Sequence, residues 1–309
     1  MRQGESFSEG KWIGNPSGGV KAPQPIILPD PAKRFVRTAT RLTELAPGHP
    51  MEPWLLFMAK LSQAQHAAAT GLAPFAAPER RIVDQAVEAR MPPIAADGYR
   101  RDSAWRDGLT LLLDALDTEA LPHEASAVMT SLRRREIDAL ETLADDFLSG
   151  AVKGDDAGAA FYVAAALQIY FTKLAATLDV SSLRLLEQRN LCPCCGSTSV
   201  SGLVTASGDT PGTRYVYCSL CATAWNHTRA ICITCGGSRG LALRAIDGMS
   251  EAVKAETCDE CHTYAKVLYQ TQDARVDPFA DDLASLALDV LVSDAGFDRH
   301  APNPLLLIG

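Results

Sequence analysis

Apolar residues recur at helical spacing through the first half of the chain. Asp30 before Pro31 supplies an N-cap and a first-turn proline for a helix carrying Phe35, Leu42 and Leu45, which Pro47-Gly48 stops. Pro53 opens a second helix with Trp54, Phe57, Met58 and Leu61 on one face. Trp105, Leu109, Leu112, Leu113 and Leu116 mark a third, ended by Pro122. Val128, Leu132, Leu140, Leu143 and Phe147 predict a fourth, with Gly150 as its C′ residue. Asp155-Asp156 leads into a fifth that is apolar nearly all round. Gln168, Thr172 and Lys173 interrupt its Ala159 to Leu178 stretch, and its unbroken apolar run stops at Leu167, short of the about 20 residues a membrane span needs. A central buried helix is expected there.

Beyond residue 190 the period shortens to that of strands. Thr213 to Tyr217, Trp225 to Ala230, Leu241 to Ile246 and Tyr264 to Tyr269 alternate as half-buried strands do. Asp277-Pro278 then repeats the cap-and-proline signature. Leu283, Leu286, Ala287, Val290 and Leu291 give a last helix a narrow apolar face, expected to bury against the helical body or the second pair of strands, with Gly296 as the stop. Residues 1–25 are rich in Gly, Ser and Pro and are expected to be flexible.

Composition narrows the class. A chain of 309 residues with 47% hydrophobic and 21% charged residues can build a real core, and its length suits two ordinary domains. With 29 basic against 37 acidic residues, net charge −8, it has no general attraction for phosphate backbones or anionic lipid. The N-terminus MRQGESFSEGKW has neither an apolar export core nor a twin arginine, so a cytoplasmic protein without membrane insertion is expected.

The cysteines carry the strongest signal. All 9 lie between Cys192 and Cys261. Eight form four C-x-x-C pairs, Cys192/Cys195, Cys218/Cys221, Cys232/Cys235 and Cys258/Cys261, and each member of the first two pairs recurs 40 positions later in the last two. This is a tandem duplication of one four-cysteine unit. Two residues between cysteines let one tight knuckle aim two thiolates at a single ion, and a second knuckle across a hairpin completes a tetrahedron. Gly196 and Gly236 stand where each first knuckle must turn sharply with positive φ. In a reducing compartment such a density reads as metal ligation and not as disulfides. The expected fold is therefore multidomain α plus small β: a flexible N-terminus at 1–25 and an all-α helical domain at 26–190. Two tandem rubredoxin-like or zinc-ribbon-like metal modules follow at 191–230 and 231–270, and a C-terminal helix and tail at 271–309. One metal per module is expected, with the helical domain folding independently of both.

Other motifs weigh less. Cys258 to His262 fits the C-x-x-C-H haem signature, but haem attachment would break the repeat and needs an exported chain. Gly236 to Gly240 fits G-x-S-x-G without the strand-to-helix context of a nucleophile elbow. Gly4 to Lys11 has one residue too many for a P-loop and Trp12 in place of Ser or Thr. Cys194 reads as an exposed knuckle residue in preference to a redox thiol, and His262 as a surface residue or one just outside the metal ligands. His49, His66, His123, His227 and His300 share no spacing and read as surface or satisfied core positions.

CPCCGS at Cys192, RYVYCSLCATAW at Arg214 to Trp225, CITCGG at Cys232, AVKAETCDECHTYAKVLYQ at Ala252 to Gln270, VDPFADDLASLALD at Val276 to Asp289 and Asn303-Pro304 together resemble formate dehydrogenase accessory proteins of the FdhE type. The helical half matches in order and size. That family usually has an aliphatic residue at the position of Cys194 and glycine at that of His262. The resemblance implies a cytoplasmic maturation factor that binds the catalytic molybdenum subunit of respiratory formate dehydrogenases before twin-arginine export. It implies iron in rubredoxin-like sites, two Fe ions per chain, where spacing alone says zinc; four thiolates accept either.

Two rival classes fare worse. A closed four-thiolate shell leaves no open position for substrate or water, and no catalytic constellation survives elsewhere, so no enzyme is expected. A nucleic-acid-binding zinc ribbon should show a basic face, whereas residues 191–270 carry six basic and six acidic residues. Iron-dependent electron transfer stands as a secondary possibility.

Overall fold

The computed structural model describes residues 22–116, 123–248 and 250–306. The expected flexible stretch up to residue 21, the Gly4 to Lys11 segment and the Pro122 helix stop lie outside them.

Seven helices form the N-terminal body of the described chain: α1 (Pro31–Leu45), α2 (Glu52–Gly71), α3 (Arg80–Glu88), α4 (Ala104–Ala115), α5 (His123–Arg133), α6 (Ile137–Ser149) and α7 (Ala157–Ala175). The Asp30 carboxylate accepts from the Ala32 N–H, as an N-cap should. Helix α7 is buried almost from end to end, from Ala159 to Ala175, and α1, α2, α4, α5 and α6 pack around it. Its Gln168 is satisfied inside the core: the side-chain carbonyl accepts from Gln65 and its NH₂ donates to Ser219 O at 2.9 Å. Gly150 takes the left-handed C-cap conformation (φ 73°).

Two departures have local causes. The expected fourth helix is in fact α5 and α6, broken at Arg134-Arg135-Glu136. That charged run has no apolar side chain to bury, and Arg135 instead pairs with Asp156 at 2.7 Å. Leu132 and Leu140 stay in helical phase across the break, so periodicity alone could not reveal it. Helix α3 was not anticipated, because Val83 is its one fully buried residue.

Eight strands among the described residues form one sheet: β1 (Ile26–Ile27), β2 (Ser199–Val204), β3 (Arg214–Cys218), β4 (Ala224–Asn226), β5 (Leu241–Arg244), β6 (Val253–Cys258), β7 (Thr263–Tyr269) and β8 (Asp298–Arg299). Their order is β1-β4-β3-β2-β7-β6-β5, with β8 pairing to β7. Strands β2 to β4 form one antiparallel unit and β5 to β7 its duplicate. The parallel pairing of Gly202 with Val267 and Val204 with Tyr269 fuses the two, so the ribbons are continuous, not separate. Ile26-Ile27, at the head of the expected helical segment, belongs to the sheet, pairing with Trp225 and Ala224. Strand β2 escaped detection because both its faces are buried and its apolar residues do not alternate.

Arg214 ties the units together. Its guanidinium crosses from β3 over β2 to Glu256 on β6, at 2.7 Å, with the side chain 1% exposed. Gly202 makes room for it: a Cβ there would stand 3.2 Å from Arg214 Nε.

The expected last helix is likewise two, α8 (Ala280–Ala284) and α9 (Leu286–Asp294), broken at Ser285. Asp277 caps the first, accepting from the N–H groups of Phe279 and Ala280. The break rotates the apolar face, so Leu283, Leu288 and Val292 are buried while Val290 and Leu291, expected inward, are 60% and 53% exposed. Both expected packing partners are used. Helix α8 docks on α1, where Arg41 grips Asp281 through two hydrogen bonds at 2.9 and 2.7 Å. Helix α9 covers the second unit, with Leu288, Val292 and Phe297 against Ala255 and Tyr264.

Candidate metal centre

The duplicated knuckles close into two separate sulfur clusters, Cys192/Cys195/Cys218/Cys221 and Cys232/Cys235/Cys258/Cys261, the sulfurs of each lying within 4.8 Å of one another. Each unit is complete in itself, with no crossed pairing. Sulfur separations are 3.5 and 3.4 Å across the first cluster and 3.7 and 3.8 Å across the second. A tetrahedral ion with metal–sulfur bonds of about 2.3 Å places its sulfurs about 3.8 Å apart. No disulfide forms, and the donor set is soft and closed, so the residues fit a four-thiolate ion such as Zn²⁺ or Fe²⁺ in each cluster.

The backbone prepares both clusters the same way. Gly196 and Gly236 turn with φ of 77° and 74°, letting their N–H groups return to Cys192 O and Cys232 O. Further N–H groups point at sulfur: Leu220 and Cys221 at Cys218, and Gly237 at Cys235, between 3.3 and 3.4 Å. Such contacts favour thiolate over thiol. The thiols also act on one another. Burial and shared hydrogen bonds push Cys192 and Cys221 well above the usual thiol range. For Cys195, burial is outweighed by hydrogen bonds from Cys192, Cys218, Cys221 and the Ser197 backbone, and its pKa falls well below that range. In the second cluster Cys261 comes down to about 7, because hydrogen bonds from Thr263, Cys235 and Cys232 outweigh burial.

The second knuckle turns without glycine. Ala222 and His262, 40 positions apart, both adopt left-handed backbone, with φ of 59° and 53°. Left-handed backbone costs a residue with a Cβ on the order of 1–2 kcal/mol, offset in part by the greater chain entropy of glycine. His262→Gly should therefore raise stability by about 0.5–1 kcal/mol, read as a higher midpoint in thermal or denaturant unfolding of the metal-loaded protein. A lower midpoint would mean that the exposed His262 side chain, whose ring lies 6.2 Å from Phe297, contributes more than the strain costs.

Cys194 corrects an expectation: it is 0% exposed, not a surface residue of the knuckle. Its carbonyl and that of Cys195 accept from Ile94 and Ala96 at 3.0 and 2.8 Å, which presses the first knuckle into the helical body. Threonines beside the clusters also escaped notice. Thr223 and Thr263, again 40 positions apart, place hydroxyls 3.2 and 3.1 Å from Cys221 and Cys261 sulfur. Applying the repeat to residues other than cysteine would have found them. His227 and His300 are held neutral, their pKa values lowered to about 4 chiefly by burial, with Arg214 adding repulsion.

Known proteins resemble the chain throughout. Three family descriptions match in order: FdhE, N-terminal, over residues 23–187; FdhE, central domain, over 191–229; and FdhE, C-terminal domain, over 231–306. A protein FdhE homolog of Edwardsiella ictaluri (strain 93-146) is 35% identical over 300 residues, 95% of this chain and 94% of that one. The homolog of Rhizobium meliloti (strain 1021) is 33% identical over 296 residues, 94% and 95% of the two chains. The crystal structure of the FdhE protein from Pseudomonas aeruginosa superposes with a TM-score of 0.82 at 33% identity, covering 92% of this chain and 99% of that one. Matched along its length in sequence and in fold, the chain belongs to the FdhE family.

Proposed function

We propose that this protein is an accessory factor for formate dehydrogenase maturation, which binds the catalytic subunit in the cytoplasm before export and carries out no turnover chemistry of its own. The full-length family match carries the reading, because the resemblance that first pointed to such a factor extends through both cysteine units and the helical body alike. The eight clustered cysteines are assigned as metal ligands, one ion per cluster. Iron is the assigned metal on the family resemblance, with zinc meeting the same donor set. Closed thiolate shells supply no open coordination position, which favours a binding role over catalysis.

Two measurements on a strain lacking the gene test this. Formate-dependent dye reduction should fall to near background. Tagged protein returned to that strain should restore it and co-purify with the unexported catalytic subunit. Full dye reduction without the gene, together with no recovered subunit, would sink the reading.

A further inference from the structure

The two clusters share a sequence repeat but not an environment. In the first, all four cysteines are at most 1% exposed and belong to the same buried cluster as the helices. In the second, Cys232 and Cys258 are buried, Cys261 is half-buried and Cys235 is exposed. Ligand exchange at a four-thiolate ion needs an open side from which a competing ligand approaches. The first cluster has none, and the second is open at Cys235.

The repeat also puts different residues at matching places. Cys194 in the first unit corresponds to Thr234 in the second. In the first unit the hydroxyl at Cys221 belongs to Thr223, and no second hydroxyl continues from it at the corresponding place. In the second, Thr263 stands 3.1 Å from Cys261 sulfur, Thr234 Oγ1 is 2.8 Å from Thr263 Oγ1, and His300 Nδ1 is 2.8 Å from Thr234 Oγ1. Each hydroxyl has a single proton, so the chain can point only one way at a time. As placed, Thr263 donates to Thr234; against a metal-bound thiolate the chain runs the other way, with Thr263 donating to Cys261, Thr234 to Thr263 and His300 from Nδ1 to Thr234. That fixes the histidine tautomer and leaves Nε2 bare, in keeping with Nε2 being buried without a hydrogen-bond partner among the described residues. A chain polarised in this direction strengthens each link and holds Cys261 as thiolate.

We propose that the second cluster is an exchangeable site for a thiophilic divalent cation, retained by the His300–Thr234–Thr263 chain, while the first is a permanent structural centre. This rests on the reading that both clusters bind metal. His300, Thr234 and Thr263 are positioning residues, acting on the ion through Cys261.

The test follows zinc release from the full-length, zinc-loaded protein into excess chromophoric chelator. Two equivalents should leave in two phases separated by roughly tenfold or more in rate, and Cys235→Ser should remove the fast one alone. Loss of groups that orient metal ligands typically costs 10- to 100-fold in affinity. Thr234→Val should accelerate the fast phase by about tenfold with the slow phase unchanged, and Thr234→Ser, which keeps the hydroxyl, should restore it. Absence of both iron and zinc from protein folded and purified under reducing conditions, with no zinc taken up when it is supplied, would overturn the metal reading and this proposal with it. Two equivalents leaving at one rate, loss of the slow equivalent in Cys235→Ser, or an unchanged fast phase in Thr234→Val would overturn this proposal and leave the metal reading standing.

Discussion

Serine at both Cys192 and Cys218 should unfold far more than the ribbon that contains them. The sequence predicts a helical body that folds independently of metal, but the structure joins the two. Cys192, Cys194, Cys195, Cys218 and Cys221 sit in the same buried cluster as Phe35, Leu42, Tyr170 and Phe171. Polar groups lock the contact: Ile94 and Ala96 donate to the knuckle carbonyls, Gln168 on α7 to Ser219 O, and the Trp225 indole to Arg189 O at 2.9 Å. A structural four-thiolate site contributes on the order of 10 kcal/mol of folding free energy, comparable with the about 5–15 kcal/mol stability of a whole domain. Removing it from a shared core should cost the helices most of their protection as well. Hydrogen exchange on the double variant should show residues 30–180 exchanging through global opening, with a sharply lowered melting temperature. The matching variant at Cys232 and Cys258 should leave those residues protected, because the second unit adds Ile233 and Ala265 but none of its cysteines to that shared cluster, while Ala255 and Tyr264 pack in a small separate one with Leu288, Val292 and Phe297. Full protection of residues 30–180 in the Cys192/Cys218 variant, with its first ion shown to be absent, would restore the independent helical body.

How much was legible depends on the sequence distance over which each feature is decided. The two cysteine sets are fixed by knuckles of four residues and by a repeat, both local, and they assemble in the structure as spaced. Helices α1, α2, α4 and α7 follow from caps and apolar periodicity, which are also local. The parallel β2–β7 junction is decided by pairing Gly202 with Val267, 65 residues apart, and no local pattern encodes that partner. Cys194 was misplaced for the same reason: what buries it is the segment at Ile94 to Ala96, about a hundred positions earlier.

Buried charge was the other blind spot. Arg214, Lys266 and Asp282 are charged residues, which periodicity assigns to solvent, yet the three are 2%, 1% and 0% exposed. A buried charge is legible only with its partner, and these partners come from distant strands and helices. The VDPFADDLASLALD stretch carries a family resemblance in its sequence, and its acidic residues anchor α8 and α9 against α1 and the sheet.

Asp282 is the most consequential of them, and Asp282→Asn should cost about 3–5 kcal/mol at neutral pH, the usual price of breaking a buried ion pair from one side. Its carboxylate takes a salt bridge from Arg299, a hydrogen bond from Asn303 Nδ2 at 2.6 Å, and a charge contact from Lys266 Nζ at 3.4 Å. The asparagine would leave the Lys266 ammonium, itself 0% exposed, with Asp289 as its remaining carboxylate, at 2.5 Å. Burial alone would raise the Asp282 pKa, but Lys266 and Arg299, aided by Asn303, hold it below the usual carboxylate range. A carboxylate lowered in the folded state stabilises above its unfolded pKa, and that contribution fades as pH falls through the unfolded and then the folded value. The stability gap between the natural protein and Asp282→Asn should therefore be largest at neutral pH and narrow below about pH 4. Asp281 next door titrates the other way, raised because burial outweighs its hydrogen bond to Arg41. The gap between the two proteins, in which the Asp281 contribution and any pH-dependent loss of the thiolate-bound ions cancel, is accordingly the quantity to follow by denaturant unfolding of the metal-loaded proteins. A gap under 1 kcal/mol at pH 7, or one unchanged at pH 3, would show that the Lys266–Asp282–Arg299 cluster fills space without holding the C-terminal helices in place.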